Sequence, residues 1–567
     1  MSSLRPTNCL MNPSSNQIKA AFSTFRQVSY SVVSFISVVN QLLNCFFFSG
    51  SNNAGGSAVQ SWLIDSVVRM DVVSIYLSTV VGGGIGGASS AYFLRKMFGN
   101  KVSITLFEKS GRIGGRIKAV PFCGETCESG ASAIHSSNYY MTSFANQFKI
   151  PLVPLKSVDH RLLLFEEGYK PVFSNITDQT AFLTPIHLFW RYGLNLLRAK
   201  FYLMARIREF TQIYTLQECG ECFTSPGLLL KKLSKHFPEM TKCTFAEWMR
   251  KEIGLDEKYI NELGFGIFSS NYCQNSVDAH AFVGVISSAC TVSDVYTIEN
   301  GAEQIPQKLV EVALAGNPSG APKEFIHATV KKITRTDNDR LRLSYDLADN
   351  NKTGEGLFDY VILSLPLHQE SNISTSDDIK LPSLRYHEMC RTFLSGQINY
   401  SLFDLPLKHL KRNQWATFLP TSSYYSNEKH PVCSITRLPV KSQDSDLKDG
   451  VWSIFSESKY ILDPKTALSK LILKDPDDDH NQIDVVRWLA YPTYHPVNDP
   501  DTDLGQFKLA PRVYYPNAIE LTASCMEMAI IGGRNVALLI ANEMKHLKQD
   551  QNSMFTTLTN FIKGEAN

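Results

Sequence analysis

Val73-Ser-Ile-Tyr-Leu-Ser-Thr-Val-Val81 runs directly into Gly82-Gly83-Gly84-Ile85-Gly86-Gly87. Val73–Val81 is apolar and β-rich, which predicts a buried strand. Ala88–Phe98 consists of good helix formers, and Phe98-Gly99-Asn100 stops it. Val102–Phe107 alternates and is β-branched, so a second strand is expected there. Strand, turn, helix and strand fill about thirty residues, the size of one such unit. Within Gly82-x-Gly84-x-x-Gly87 the first glycine permits a tight turn. The second removes a side chain where a pyrophosphate must approach, and the third lets the helix pack closely on the sheet. The helix N-terminus then offers unpaired N–H groups and a partial positive charge to phosphate. Glu108 closes the second strand about twenty residues on, where a carboxylate accepts ribose hydroxyls. A bare glycine match is weak, but these parts in this order point to a dinucleotide-binding turn.

Arg112-Ile113-Gly114-Gly115-Arg116 follows Glu108 directly. Two glycines flanked by arginines offer backbone N–H groups and cations to a second stretch of phosphate. A nicotinamide site does not need this extension, whereas the longer FAD does. The pattern resembles the glycine-pair motif of the flavin amine oxidase superfamily, and FAD is the expected cofactor.

The remaining bulk properties narrow the class. A chain of 567 residues holds roughly two to four domains. Charged residues make up 19% and the net charge is +2, so no global field argues for nucleic acid. Among 12 cysteines, Cys123/Cys127 and Cys219/Cys222 are lone pairs, too little for zinc, and no metal is expected. A local disulfide is open to a luminal protein. No acidic residue precedes Asp65, and Arg5, Lys19 and Arg26 precede the apolar stretch Ser31–Phe48. Asn40, Gln41 and Asn44 make that stretch a poor membrane span. Val32–Val39 suits a signal-peptide core and Ser49-Gly50-Ser51 a cleavage region, while the acid-free, Ser-rich composition also fits a mitochondrial transit segment or an unstructured extension.

The chain reads as an α/β protein. Residues 1–71 form a targeting or unstructured extension. Segments 72–135, 270–370 and 485–545 build a Rossmann-like FAD-binding domain. It is interleaved with a mixed-sheet and helical substrate domain from 136–269 and 371–484, and 546–567 form a tail. Ala181–Tyr214 and Thr244–Leu263 are helical, the latter opened by Thr244 as a cap. Strands are expected at Phe325–Ile333, Leu341–Tyr345 and Tyr360–Leu365, a loop-rich stretch over Ser371–Asp484, and a helical region over Ile519–Lys545.

Further motifs resemble one family, prenylcysteine oxidase. They are Leu106-Phe107-Glu108 with the glycine pair, Glu128-Ser-Gly-Ala-Ser-Ala-Ile-His135, Trp190-Arg-Tyr-Gly193, Asn271-Tyr272 and Ala281-Phe-Val-Gly284. Trp488-Leu-Ala-Tyr-Pro492 and Met526-Glu-Met528 continue the match, which runs from about Val80 to about Ile540. The chain departs from the family at Asn300-Gly301-Ala302 and Ser364-Leu365-Pro366. The resemblance implies an FAD enzyme that oxidises the allylic carbon next to sulfur in a prenylated cysteine. Water traps the resulting cation, an aldehyde and free cysteine leave, and molecular oxygen becomes peroxide. A lipid substrate also allows peripheral membrane or lipid contact.

His135 is the polar candidate beside the flavin, with a structural histidine as the alternative. Arg191 is a candidate for the substrate carboxylate, and Tyr272 and Phe282 for an apolar tunnel, with helix surface and plain core as the bland readings. Glu128 is placed on the cofactor, as are Val330 in its strand and Glu520, Thr522 and Ala523 before the C-terminal helix. That helix is expected to aim its positive end at the flavin. Asn175, Asn351, Asn372 and Asn399 each open a glycosylation sequon, and the resemblance implies a lysosomal protein of the secretory pathway. An oxidase of amines or other thioethers and a catalytically weak lipid-binding FAD protein remain alternatives.

Overall fold

The computed structural model describes residues 75–563 except 156–160, 177–182, 319–324, 350–351, 369–370, 397, 406–414, 428–431, 439–450, 461–467 and 472–481. The N-terminal extension 1–71, with its apolar stretch, and the Asn351 sequon lie outside the described residues. The main compact unit comprises Val73–Arg335 and Arg340–Asn552.

Tyr76–Val81 (β1), Ile85–Phe98 (α1) and Val102–Glu108 (β2) form the expected unit. β1 and β2 run parallel, in register from Tyr76↔Val102 to Val81↔Phe107. Phe325–Arg335 (β3) adds parallel outside β2, while Tyr360–Leu363 (β4) and then Val513–Tyr514 (β5) add parallel beyond β1. Successive crossovers therefore leave β1 in opposite directions, and the crevice at the carboxyl ends of the strands is where ligands of such sheets lie. An antiparallel hairpin, Leu341–Leu347 and Thr353–Phe358, extends the β3 side. α1 is buried from Ile85 to Arg95. It sits tightly on the sheet because Gly87 carries no Cβ, which would meet Gly82 O and Val80 Cγ1.

The stretch Ser371–Asp484, expected to be loop-rich, instead supplies most of a second sheet. Tyr386–Ser395, Ala416–Pro420, Val432–Leu438, Val451–Glu457 and Ile483–Pro492 join Arg161–Phe165 and Pro171–Ser174 in seven strands. Ala416–Pro420 pairs in parallel with Arg161–Phe165, so one ladder links distant parts of the chain. Trp452, Phe418, Phe403 and Tyr424 are fully buried on this sheet. Ile483–Pro492, assigned above in part to the cofactor domain, pairs along Tyr386–Ser395 as the edge of this sheet.

A set of helices packs beside the sheets, including Thr184–Tyr192 (α2) and Asn195–Phe210 (α3). Thr244 caps its helix as expected, in a reciprocal box with Glu247. The C-terminal helix Met526–Lys563 (α4) continues past 545 where a separate tail was expected. Cys123, Cys127, Cys219 and Cys222 are free thiols, so neither lone pair forms a local bridge. Cys273 and Cys433 are joined instead, 160 residues apart, which ties the helix ending at Tyr272 to the second sheet. Such a long cross-link restricts the unfolded chain. Cys273→Ser is expected to cost roughly 2–5 kcal/mol, read as a fall in unfolding midpoint that reductant reproduces in the wild type. No change in either would rule out a bridge that supports the fold.

Candidate active site

Two glycine turns meet backbone to backbone. Gly114 N donates to Gly83 O at 2.9 Å, and Gly84 and Gly114 pair as a parallel bridge. Gly115 has φ +58° and a Cβ there would lie 2.9 Å from Gly84 Cα. Gly82 has φ +107°, and a Cβ on it would fall on Ser364 O. Glu108 fastens the arrangement: its Oε2 accepts from Gly83 N at 2.7 Å and its Oε1 from Ser110 N at 2.8 Å. At Gly84, by contrast, a Cβ would meet nothing nearer than 3.8 Å. Gly84 is also the N-cap of α1, where no side chain caps the helix. The first N–H groups of a helix have no partner within it. Here Gly84, Ile85 and Gly86 face a cavity of about 740 Å³. This cradle is dimensioned for phosphate and an added side chain would fill it.

The cavity continues from Gly82, Glu108, Gly114 and Val330 past Ser129 and Gly130 to a cluster on the helical layer. That far end is apolar. Phe237 lies 5.2 Å from Phe282 and 6.2 Å from Phe210 between ring centroids, with Ile207, Val285 and Ile286 beside them. Tyr272 and Phe282 both reach the wall, as the sequence suggests. Tyr272 donates to Ser524 O at 3.2 Å and packs on Tyr491.

Other candidates sit differently. The arginines of the second turn do not present free charge to phosphate. Arg116 pairs through both terminal nitrogens with Glu520, whose side chain is 2% exposed, and also donates to Ala490 O at 2.7 Å. Burial works against this charge, but Glu520 holds the guanidinium protonated above its ordinary value. Glu520 further accepts from Tyr386 and Asn517. Arg112 turns to Gly115 O and Ile117 O. The turn's glycine N–H groups, not its arginines, are what it offers an anion. Glu128 does not line the cavity; its Oε1 accepts from Ala302 N at 2.6 Å, bracing the Asn300-Gly301-Ala302 turn. Thr522 and Ala523 are fully buried, with Thr522 Oγ1 donating to Ile519 O at 2.7 Å. The residues facing the cavity come next, Ser524 to Ala529, at the start of α4.

His135 lines the cavity, but Ser137 N donates to its Nδ1 at 3.1 Å and its Nε2 meets Ala289 O at 2.8 Å. Both ring nitrogens brace local backbone. Arg191 lies outside the cavity wall, held by two 2.7 Å bonds to Glu262. Three wall residues escaped sequence reasoning. Arg206 pairs with Glu209 at 2.8 Å, yet its Nε and Nη1 are buried with no partner among the described residues. Arg391 donates to Glu128 O and Gly130 O. Trp488 donates to Ser129 O at 2.9 Å. The Trp488 signal was present in the quoted motif, whereas Arg206 and Arg391 sit in segments with no motif at all.

Comparison with known proteins places this geometry. The prenylcysteine lyase family model matches residues 176–553, and an NAD(P)-binding Rossmann-like domain model matches 80–148. The chain belongs to the prenylcysteine lyase family. A human relative, prenylcysteine oxidase 1, is 30% identical over 468 residues, covering 81% of this chain and 88% of its own. The mouse protein of the same name is 29% identical over 472 residues, covering 81% of this chain and 88% of its own. Among solved structures, cyclohexylamine oxidase from Brevibacterium oxydans IH-35A shares the fold with a TM-score of 0.53 at 12% identity, over 83% of this chain and 99% of its own. A putrescine oxidase bound to putrescine matches at 0.52 and 13%, over 82% and 99%.

Two buried carboxyls give the site a pH signature. Burial pushes Glu128 up to about 7 against the opposing bond from Ala302, and Glu527 up to about 7 against bonds from Tyr140 N and Met141 N. Both are raised above the unfolded value of 4.5. Their stabilising contribution is therefore complete below about pH 4.5 and lost as pH rises through about 7. Buried His280, pushed down to about 4, acts in the opposite direction, so the comparison is between proteins: relative to wild type, Glu128→Gln should lose part of the stability at pH 5 that it does not lose at pH 8. An unchanged slope in the variant, measured by calorimetry, would contradict the assignment.

The two glycines of the cradle should fail differently. Gly82→Ala forces a side chain onto Ser364 O at positive φ and should destabilise the fold. Gly84→Val should keep the fold and lose the bound dinucleotide. Retention of ligand by folded Gly84→Val would sink the cradle.

Proposed function

We propose that this chain is an FAD-dependent thioether oxidase that cleaves prenylcysteine to a prenyl aldehyde, cysteine and hydrogen peroxide, in the breakdown of prenylated proteins. The observation that carries this reading is one continuous cavity with a phosphate cradle at one end and an aromatic, apolar end at the other. Family membership supports it. When bound, FAD would accept the hydride from the carbon beside sulfur and hand the electrons to oxygen.

The chain's own residues supply position and dryness. The N–H groups at Gly84–Gly86 would hold the pyrophosphate, and β3 at Ala328–Lys331 would flank the adenosine end. The start of α4, from Ser524, turns its positive end to the cavity, where it favours negative charge on the reduced cofactor. Burial pushes the Cys525 thiol there up to about 11, so it stays protonated and is no nucleophile. Phe210, Phe237 and Phe282 would receive the prenyl chain, whose remote binding energy orients the reacting carbon. Arg206, with unpaired donors in the wall, takes over the carboxylate role first expected of Arg191. No side chain is required as acid or base if water captures the cation, which agrees with a His135 whose nitrogens are both engaged.

The compartment follows from the same reading: the secretory pathway, with the lysosome as destination. Carboxyls that stabilise the fold at acidic pH suit it, as does the Cys273–Cys433 bridge. Of the sequons, Asn372 is exposed and Asn399 half-buried. Asn175 is 1% exposed and bonded to Leu162 N and Thr184 Oγ1, which removes it as a glycan site.

Farnesylcysteine should bleach the bound flavin without oxygen, and S-methylcysteine should do so far more slowly. Arg206→Met should raise the half-saturating farnesylcysteine concentration by roughly ten- to hundredfold, the cost of about 1.5–3 kcal/mol for a charged hydrogen bond, while the methyl ester is little affected and Arg191→Met changes neither. Equal rates for the two thioethers in stopped-flow absorbance would refute the apolar tunnel.

A further inference from the structure

Among the described residues, seven of the twelve exposed large apolar side chains fall between residues 186 and 204. They belong to α2, to α3 and to the N-cap residue of α3, which follow one another in the chain. Trp190 is 83% exposed and Phe201 66%. Leu194 at the N-cap of α3 and Leu197, Phe201 and Met204 on it recur at three- and four-residue steps and so form one outward stripe. The opposite side of the same helix buries Ala199, Leu203 and Phe210. Soluble surfaces rarely group apolar side chains this way without a partner.

The charge around the stripe says which partner. From Gln179 to Arg208 the sequence contains five Arg/Lys residues and no Asp or Glu. Arg191 and Arg206 are engaged by Glu262 and Glu209. Arg198, Lys200 and Arg208 are exposed beside the apolar stripe. A helix with large apolar residues on one side, cations along its border and an exposed Trp is the composition of an element lying in a lipid–water interface. α3 has 16 residues, roughly 24 Å, too short to span a bilayer core of about 30 Å. Among the described residues no helix is long and apolar enough to cross a membrane. The same helix turns Ile207 and Phe210 into the apolar end of the cavity.

We propose that α2 and α3 form a docking surface for an anionic lipid bilayer, which seats the apolar end of the cavity beside the membrane. A lipid-borne substrate would then reach the cavity without its hydrocarbon chain crossing open water. The surface stands on the exposed stripe and its cations and does not require the catalytic reading to be right.

The test is co-sedimentation of the full chain with phosphatidylcholine vesicles, with and without phosphatidylserine, at low and raised salt. The wild type should bind the anionic vesicles and release with salt. Trp190→Ser/Phe201→Ser and Lys200→Glu/Arg208→Glu should each lower partitioning by about tenfold or more. Both should keep the wild-type unfolding midpoint and the wild-type rate of flavin reduction by farnesylcysteine in solution. Wild type that ignores anionic vesicles, or folded variants that bind as well as wild type, would overturn the proposal. So would gel filtration showing a wild-type dimer that the apolar variant splits, with no vesicle binding, since a second copy would then cover the face. Vesicle binding by a chain that leaves farnesylcysteine untouched would uphold the surface and count only against the catalytic reading.

Discussion

The structure depends on one close approach, the backbone of Gly82–Gly84 against the backbone of Gly114–Gly115. Neither turn has room for side chains where they meet, and Gly114 N and Gly83 O are joined directly. Glu108, at the end of β2, bonds to the first turn while leading the chain into the second. The contact therefore fixes the end of β1, the start of α1 and the loop after β2 together. Only at Gly84 is space left over, and that space opens into the cavity. The place of the phosphate cradle relative to the apolar end is set by this contact.

Charge around the cavity is largely consumed within the protein. Arg116, about a quarter exposed, and the buried Glu520 neutralise each other and tie the second glycine turn to the segment before α4. Such a pair is costly to break from the arginine side, because the carboxylate is left buried and uncompensated. Its value here is that two distant parts of the chain, through Arg116 and Tyr386, converge on one carboxylate that Asn517 braces locally. Of the other cations on the wall, Arg391 is spent on the Glu128 and Gly130 carbonyls, Lys331 faces Asp346, and Arg206 keeps donors unpaired among the described residues.

The local β1–α1–β2 unit was legible because every signal in it is short-range: β-branched alternation, helix formers, and glycines at fixed spacing. The second sheet was not. Tyr386–Ser395 has buried residues on both faces and no clean alternation, and Ala416–Pro420 finds its parallel partner some 250 residues earlier. Such pairing leaves no periodicity in a single segment. The same limit governed the site. Gly84, Glu108, Val330, Tyr272 and Phe282 could be placed on the wall from motif and strand position. His135 and Arg191 could be placed in their segments, but their partners Ala289 and Glu262 come from elsewhere in the chain. Arg206 belongs to no motif in the sequence, and only the packing of α3 brings it to the wall.

We propose that the two packed glycine turns seat FAD. The most direct measurement is to purify the full chain, release its ligand by heat and identify it by mass alongside the visible absorption spectrum. A flavin spectrum and one FAD per chain are expected. A colourless protein that takes up no FAD, or one that releases FMN or a nicotinamide dinucleotide in its place, would contradict the proposal.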